Sequence, residues 1–268
     1  GNSLYHTIGL GAMGLHTALA VNKIEYDSKE ALEFVDAFFL ALNYYSLKIS
    51  NQIAIEKEMK FHEFEESTYA NGSYFDKYLN NDFNFQFKNV ANLFERIKLP
   101  TTKDWLLLKD SIMSHGLYHR NRLAIAPNGS ISYINETSAS IHPITQLIEN
   151  RQEKKVGSIF YPAPYLSNST IDYYKNAYDM DQRKIIDVYA VAQKHIDQGL
   201  SLTLFMRSVL PKNLYDWKNE NQSKLTTRDL SKLRNYAWTK GIKTLYYVRT
   251  YTEDDEFESI NNCESCMI

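Results

Sequence analysis

Apolar positions recur at helical spacing in the first third of the chain. Asp27 and Glu30 have the spacing of a capping box and predict a helix start. The helical pattern then continues through one long helix whose predicted buried positions are Leu32, Val35, Phe38, Phe39, Leu42, Tyr45, Ile49 and Ile53. Residues 61–87 are rich in Asn, Glu, Tyr and Phe and predict irregular surface structure with short helices. We assign no catalytic or binding role to either segment.

After Pro100 the pattern changes to three units, each with an amphipathic helix and then a short apolar run. The predicted helices start at Thr102, Asp181 and Thr227 and are ended or followed by Gly116, Gly199 and Gly241. The predicted strands are 123–126, 200–205 and 242–249. Helix-then-strand units of this length imply parallel strands joined by crossovers, so the sequence predicts an α/β fold. Three or four strands cannot close a barrel, and a closed barrel would need strands that this chain lacks.

The last predicted strand is almost continuously apolar or aromatic. Its residues Leu245, Tyr246, Tyr247 and Val248 predict a strand that is buried on both faces. Adjacent tyrosines are most often core residues, because aromatic rings dominate cores and their hydroxyls usually find a partner. Packing alone therefore explains an arbitrary Tyr-Tyr pair, and a further role needs support from neighbouring motifs.

The composition is that of an ordinary globular chain of 268 residues with 44% hydrophobic residues. A net charge of -2 gives no electrostatic case for binding nucleic acid. The sequence shows no apolar stretch of about 18 residues and no signal-peptide pattern, so we expect a soluble protein without a membrane partner. Two cysteines cannot form a disulfide framework, which favours a reducing, cytoplasmic location. Because the first residue is Gly1, we expect a piece of a longer protein.

A glycine-rich segment from Gly9 to Gly14 has the spacing G-x-G-x-x-G of a dinucleotide-binding turn. This motif raises the alternative of a dinucleotide-binding oxidoreductase. Residues 3–8 are a poor buried strand, however, and the residues after the motif do not complete a second strand. A closely packed small-residue helix is therefore favoured. A noncatalytic interaction domain is the remaining alternative.

A second candidate site follows the predicted strand 123–126. In parallel α/β structures ligands gather at the carboxyl ends of strands, and a small polar turn that opens a helix offers free backbone N–H groups to an anion. An ordinary turn capped by serine has the same pattern, and spacing alone favours it. The candidate ligand-binding residues of this loop are Pro127, Asn128, Gly129, Ser130 and Ile131.

The C-terminal segment is acidic and ends in a Cys-x-x-Cys motif. An acidic run without periodicity buries little apolar surface and predicts a mobile tail. Cys263 and Cys266 on such a tail suit thiol–disulfide exchange, because both sulfurs are accessible and close. As half of a zinc site they lack partners. The histidines are interpreted as hydrogen-bonded structural residues and not as metal ligands, namely His115, His119, His142 and His195.

Three motifs together resemble the C-terminal portion of the large (alpha) subunit of class Ib ribonucleoside-diphosphate reductases. They are the Leu-Tyr-Tyr strand, the segment RLAIAPNGSIS and the terminal CESC, whose two-residue spacing favours class Ib. The resemblance implies the C-terminal part of a ten-stranded α/β barrel in residues 1–250. It also implies a flexible redox-active tail in residues 251–268.

The resemblance further implies reduction of ribonucleoside diphosphates to deoxyribonucleoside diphosphates by a radical mechanism. Tyr246 and Tyr247 would relay a radical from a dimetal-tyrosyl centre in a separate small subunit, with Tyr247 facing that subunit. Cys263 and Cys266 would pass electrons from a thioredoxin- or glutaredoxin-like reductant. The loop from Pro127 to Ile131 would hold the substrate's diphosphate.

This chain is expected to bind no metal or other cofactor of its own. The family's radical cysteine, its reducing cysteine pair and its allosteric nucleotide sites belong to motifs that would precede Gly1. The missing N-terminal part of the large subunit is therefore an expected partner, together with the small subunit. We expect the chain to be inactive alone.

Overall fold

The computed structural model describes residues 2–153, 157–211, 214–218 and 224–251. Cys263 and Cys266, and all but the first residue of the predicted tail, lie outside the described residues. The chain divides into two compact units. The first unit comprises Gly1–Gly11, Lys29–Ile125 and Val191–Gly199, and the second comprises Ala12–Ser28, Ala126–Ala190 and Leu200–Ile268.

In the described residues six α-helices precede the first strand, and helices and strands alternate only in the last four of these elements. The α-helices are α1 (Asn2–Tyr5), α2 (Leu15–Val21), α3 (Lys29–Lys57), α4 (Lys88–Leu93), α5 (Thr102–His115), α6 (Gly129–Ile134), α7 (Gln182–Gln193) and α8 (Thr227–Thr239). The strands are β1 (Ile148–Glu153), β2 (Gly157–Pro162), β3 (Leu202–Arg207) and β4 (Leu245–Tyr251). None of the helices described here combines the length and the hydropathy that a membrane span requires.

Helix α3 confirms the long predicted helix but presents a different face to the core of the first unit. Tyr45 and Ile49, both predicted to be buried, are exposed. Asn43 and Asn51 are buried instead, because their amides have partners there, and the Asn51 amide donates to the carbonyl of Gly116 over 2.8 Å. Polar residues that are satisfied by hydrogen bonds can therefore occupy the buried face, which the hydrophobic pattern does not predict.

The helix starts also differ slightly from the prediction. Asp27 lies before α3 and does not cap it, since its carboxylate pairs with the ammonium group of Lys175 over 2.5 Å. Helix α5 begins with a capping box between Thr101 and Asp104, one residue before the predicted start at Thr102. The predicted cap at Asp27 is thus wrong, while the predicted start of α5 was accurate to one residue.

The tyrosine-rich part of residues 61–87 belongs to the core and not to the surface. A 3₁₀ helix, Ser73–Tyr78, buries Phe75 and Tyr78. The ring of Tyr78 stacks on Trp105 of α5 with centroids 4.0 Å apart. Aromatic residues bury large areas even in irregular backbone, so composition underestimated how much this segment contributes to packing. Its buried partners in the cluster are Leu40, Tyr44, Leu47, Phe61, Phe64, Tyr69, Leu108, Ile112 and Leu117.

The second unit contains a parallel pair of strands, β3 and β4, which confirms the predicted α/β arrangement. Helix α8 precedes β4 and begins with a capping box between Thr226 and Asp229. The predicted strand 123–126 is wrong as a full strand. Among the described residues, Leu123 forms an isolated parallel bridge with Leu10 and does not extend it into a strand ladder.

Strand β4 is exposed, which corrects the prediction of a strand buried on both faces. Tyr246 and Tyr247 are 48% and 51% exposed, and Val248 is also exposed. The apolar pattern is typical of strands in covered parallel sheets. Here β4 pairs with β3 along one edge, and five of its seven residues are exposed in the described part of the chain.

An antiparallel hairpin of β1 and β2 was not predicted. Its register pairs Glu149 with Tyr161 and Ile148 with Pro162. The sequence after Gly157 has the β-branched and aromatic residues of a strand, which could have signalled the second half of the hairpin. The preceding strand is polar and carries no such signal. This hairpin forms one side of the site described next.

Candidate functional site

The second unit contains a cavity of about 660 Å³. The loop before α6 contributes Pro127 and Gly129 to its lining, and β4 contributes Tyr246 and Tyr247. Two groups of residues that the sequence singled out separately therefore line the same cavity. The other candidate loop residues are not part of the lining, namely Asn128, Ser130 and Ile131.

The loop turns at Asn128, which has left-handed backbone geometry with φ 51° and makes no side-chain cap. Asparagine tolerates this conformation better than most residues. The next residue, Gly129, is open on its side-chain face, where an added Cβ would meet no atom within 4 Å. The first amides of a helix have no intrahelical acceptor, so the N–H groups of Gly129, Ser130 and Ile131 are suited to an external acceptor.

The wall that follows α6 is held by hydrogen bonds to the segment around α2. The amide of Thr17 donates to the Ser138 hydroxyl over 3.1 Å, and the amide of Ser138 donates to the Thr17 hydroxyl over 2.9 Å. The amide of Gly14 donates to the carbonyl of Ser140 over 3.0 Å. These bonds fix the backbone of the wall at Ser138, which itself lines the cavity.

A buried histidine completes this support. Nδ1 of His16 accepts a hydrogen bond from the amide of Ile144 over 2.9 Å, and Nε2 donates to the carbonyl of Tyr173 over 3.1 Å. These partners define a neutral tautomer, because an amide N–H only donates and a carbonyl only accepts. Burial lowers the pKa of His16 to about 4, although the Tyr173 carbonyl opposes the shift. The imidazole therefore stays neutral near pH 7, and its two hydrogen bonds connect the backbone at Ile144 to the backbone at Tyr173.

A bulge in the strand pair explains how two adjacent tyrosines line one cavity. Leu202 pairs with Leu245, but the next residue, Thr203, pairs with Tyr247, so Tyr246 is an extra residue. Successive side chains of a regular strand point to opposite faces, whereas a bulge changes that alternation. The two tyrosine rings lie 4.1 Å apart at an angle of 58°. A hydrogen bond with Tyr247 raises the pKa of Tyr246 above its ordinary value.

Few side chains in the described lining are charged. Glu136, Glu149 and Arg249 carry formal charges, and His142 also lines the cavity. Nδ1 of His142 donates to the carbonyl of Pro143 over 3.0 Å. Burial, together with the nearby Arg249, lowers the pKa of His142, so that its imidazole is neutral near pH 7.

The hairpin adds residues that sequence reasoning missed. Glu149 on β1 accepts a hydrogen bond from the hydroxyl of Tyr133 on α6. Tyr161 on β2 packs its ring against Tyr133 with centroids 4.8 Å apart. Both contacts tie the hairpin to the helix that follows the candidate loop. A pairing register cannot be read from one sequence, so these residues could not be assigned to the site beforehand.

The glycine-rich segment near the N-terminus is closed by the protein itself. A Cβ on Gly11 would lie 2.5 Å from the carbonyl oxygen of Ala124, and a Cβ on Gly14 would collide with the side chain of Thr137. Helix α1 also occupies the position where a dinucleotide-binding turn needs a strand. The space that a pyrophosphate would need beside these glycines is already filled, which argues against the dinucleotide alternative.

Two other histidines of the sequence analysis have hydrogen-bond partners, whereas His115 is exposed at the end of α5. Nε2 of His195 bonds to the carboxylate of Asp36 over 2.7 Å, and Nδ1 of His119 lies 3.0 Å from the hydroxyl of Ser50. Among the residues that the structure describes, no group of three His, Cys, Asp or Glu side chains is arranged to hold a metal ion.

Comparisons with known proteins agree on one family. Residues 1–248 match the family model described as "Ribonucleotide reductase, barrel domain". The chain is 44% identical over 267 residues to the ribonucleoside-diphosphate reductase subunit alpha of Bacillus subtilis, an alignment that covers all of this chain and 35% of that protein. It is 41% identical to the subunit of the same name from Mycoplasma genitalium, covering all of this chain and 36% of the relative. The Helicobacter pylori subunit is 33% identical over 94% of this chain and 29% of its own length. The chain thus spans about a third of the length of these relatives.

Proposed function

The chain belongs to the family of ribonucleotide reductase barrel domains, and we propose that it forms one wall of the site at which an intact large subunit reduces ribonucleoside diphosphates. The observation that carries this proposal is the shared cavity, which is lined by the open glycine of the 127–131 loop and by both tyrosines. One ligand in this cavity could contact the loop and lie near the tyrosine pair at the same time.

The loop from Pro127 to Ile131 is proposed to bind the substrate's diphosphate. Its contribution would come from backbone N–H groups, because Gly129, which has no side chain, lines the cavity together with Pro127. Backbone amides at a helix start attract anions, and here the glycine leaves room for phosphate oxygens to approach closely. The binding would thus depend on backbone shape more than on side-chain identity.

The tyrosine pair is proposed to carry the radical to the reacting site. A phenol that is oxidised gives up one electron and its hydroxyl proton, and the neighbouring phenoxyl radical takes up both and becomes a phenol. The ring centroids of Tyr246 and Tyr247 lie 4.1 Å apart, and the two side chains are hydrogen-bonded. This arrangement would supply a short path for the electron and the proton. The radical would originate in a dimetal-tyrosyl centre of the partner small subunit, which this chain does not contain.

Other parts of the mechanism remain predictions from the sequence. Cys263 and Cys266 would receive electrons from a thioredoxin- or glutaredoxin-like protein, and they lie outside the described residues. The barrel boundary near residue 250, the class Ib assignment, the upstream cysteines and allosteric nucleotide sites, and a cytoplasmic location are likewise proposed from the resemblance.

The proposal is tested by replacing each tyrosine with phenylalanine in the full-length large subunit, assayed with its small subunit. Phenylalanine keeps the ring packing but has no phenolic proton to lose. We expect Tyr246→Phe and Tyr247→Phe each to lower turnover by roughly a thousandfold, about 4 kcal/mol in barrier terms. The readout is deoxynucleotide formed per enzyme.

Tyr251→Phe is the matched control, since Tyr251 lies on the same strand but outside the cavity lining. It should retain turnover close to that of the wild type. Near wild-type activity in either Tyr246→Phe or Tyr247→Phe, with unchanged folding, would refute the radical-relay role and would favour a noncatalytic domain.

A further inference from the structure

The charge of the cavity does not match the charge of the proposed ligand. A nucleoside diphosphate carries two or three negative charges near neutral pH, yet two of the three charged side chains in the described lining are the carboxylates Glu136 and Glu149. Backbone amides provide partial charges only. An anion beside two carboxylates therefore needs a cation, and Arg249 is the cation in this part of the lining.

Arg249 lies on the strand face that borders the cavity. The register pairs Thr203 with Tyr247 and Phe205 with Arg249, and alternate residues of a strand share a face. Arg249 thus lies two residues beyond Tyr247, at about 3.3 Å per residue along β4. The arginine side chain is long enough to reach from this position into the space beside the tyrosine pair.

The guanidinium group of Arg249 is available to a ligand. The side chain is exposed, and it forms no salt bridge with any carboxylate among the described residues. Its charge nevertheless acts on the cavity, because it lowers the pKa of the half-buried His142. His142 packs edge-on against Phe205, the residue paired with Arg249, with ring centroids 5.6 Å apart. The neutral histidine leaves the guanidinium as the positive charge at this end of the cavity.

We propose that Arg249 binds the diphosphate of the substrate and shares its two phosphoryl groups with the backbone amides of the loop at Gly129. The inference rests on the proposed function and adds a specificity role to it. The planar guanidinium can donate two parallel hydrogen bonds to phosphate oxygens, which a lysine cannot reproduce. Arg249 would thus make the cavity select diphosphates over monophosphates and free nucleosides.

The test uses the full-length large subunit and three probes, namely cytidine diphosphate, cytidine monophosphate and cytidine. Arg249→Gln should raise the KM for the diphosphate about 10- to 100-fold, the range expected for losing charge-assisted hydrogen bonds. The kcat should stay nearly unchanged, because binding of the diphosphate is the same before and during the reaction. The dissociation constant of cytidine should not change, and Arg249→Lys should recover only part of the loss.

Arg228→Gln is the matched control. It removes one positive charge from an exposed position of α8 that does not line the cavity, so the KM should remain at the wild-type value. Equal losses for diphosphate and cytidine in Arg249→Gln would overturn the inference, since they would indicate a structural role. A fall in kcat at constant KM would also overturn it and would link Arg249 to the tyrosine relay.

The outcome for the wild-type protein separates the two proposals. If the wild-type subunit binds cytidine diphosphate and Arg249→Gln binds it equally well, the arginine inference fails while the proposed function stands. Tighter binding in the variant would also contradict the inference, because it would mean that Arg249 is normally paired with an acidic segment of the protein. If the wild-type subunit itself does not bind the diphosphate, both proposals fail.

Discussion

The glycines at positions 11 and 129 occupy turns that look equally suited to phosphate in the sequence, yet their surroundings differ. The space that a side chain at Gly11 would occupy is already filled by backbone, since the carbonyl oxygen of Ala124 lies 2.5 Å from the position of a Cβ. At Gly129 no atom lies within 4 Å of the position that a Cβ would take. Whether a glycine motif can bind a ligand therefore depends on what fills the space beside the glycine.

The local hydrogen bonds explain why the first turn is closed. The amide of Leu10 donates to the carbonyl of Arg122 over 2.8 Å, and the amide of Ala124 donates to the carbonyl of Leu10 over 3.0 Å. These bonds draw the two backbones together, and only glycine fits at Gly11. At Gly129 neither packing nor a left-handed φ requires glycine. The fold itself therefore accepts a side chain at this position.

The largest effect on stability is expected for Gly11→Ala. The new Cβ would press on a backbone carbonyl that cannot rotate away, so we expect a loss of about 3 kcal/mol of unfolding free energy. Gly9→Ala is the matched control, because its Cβ would lie 3.7 Å from the Cβ of Ala124, an ordinary contact. Calorimetric unfolding of the intact subunit should show a clear decrease in Tm for the first variant only. Equal Tm values would mean that the turn at Gly11 is not closed.

An intermediate effect is expected for Gly129→Ala, and on KM instead of stability. The added methyl group has room in the free protein but would occupy the approach of phosphate oxygens. We expect the KM for a ribonucleoside diphosphate to rise about tenfold, or 1.4 kcal/mol, with the Tm unchanged. Steady-state kinetics and calorimetry on the same preparation check both parts. An unchanged KM would show that the ligand does not approach this glycine.

The smallest effect is expected for Asn128→Gly. Glycine adopts the left-handed conformation at no steric cost, so stability should rise by about 0.5 kcal/mol. The KM should stay within about twofold of the wild-type value if the loop binds phosphate through its backbone, since 0.4 kcal/mol corresponds to that ratio. Kinetics at saturating and limiting substrate would measure it. A large rise in KM would instead assign the contact to the asparagine side chain.

The elements that could be predicted are those set by local sequence. The helix that became α3, helix starts within one residue of those of α5 and α8, and the parallel pairing of the last two strands all follow from residue type and spacing. The turn that opens α6 was also predicted, because Asn128 and Gly129 favour such a turn wherever they occur.

The features that could not be predicted depend on residues distant in sequence. The bulge at Tyr246 exists because β4 shifts its register against Leu202 and Thr203, which are more than 40 residues away. Burial of Asn51 depends on the carbonyl of Gly116. Exposure of β4 depends on which strands surround it. Periodicity within one segment carries no information about any of these partners.

The open side of β4 also has a consequence for handling the chain in isolation. In the described residues β4 pairs with β3 along one edge only, and its seven residues LYYVRTY include one charge and no proline. Unpaired edges of this composition are templates for pairing with another copy, which natural sheets prevent with charges, prolines or a covering element. We therefore expect the isolated chain to aggregate through this edge. Low protein concentration and co-expression with the rest of a large subunit should oppose this aggregation.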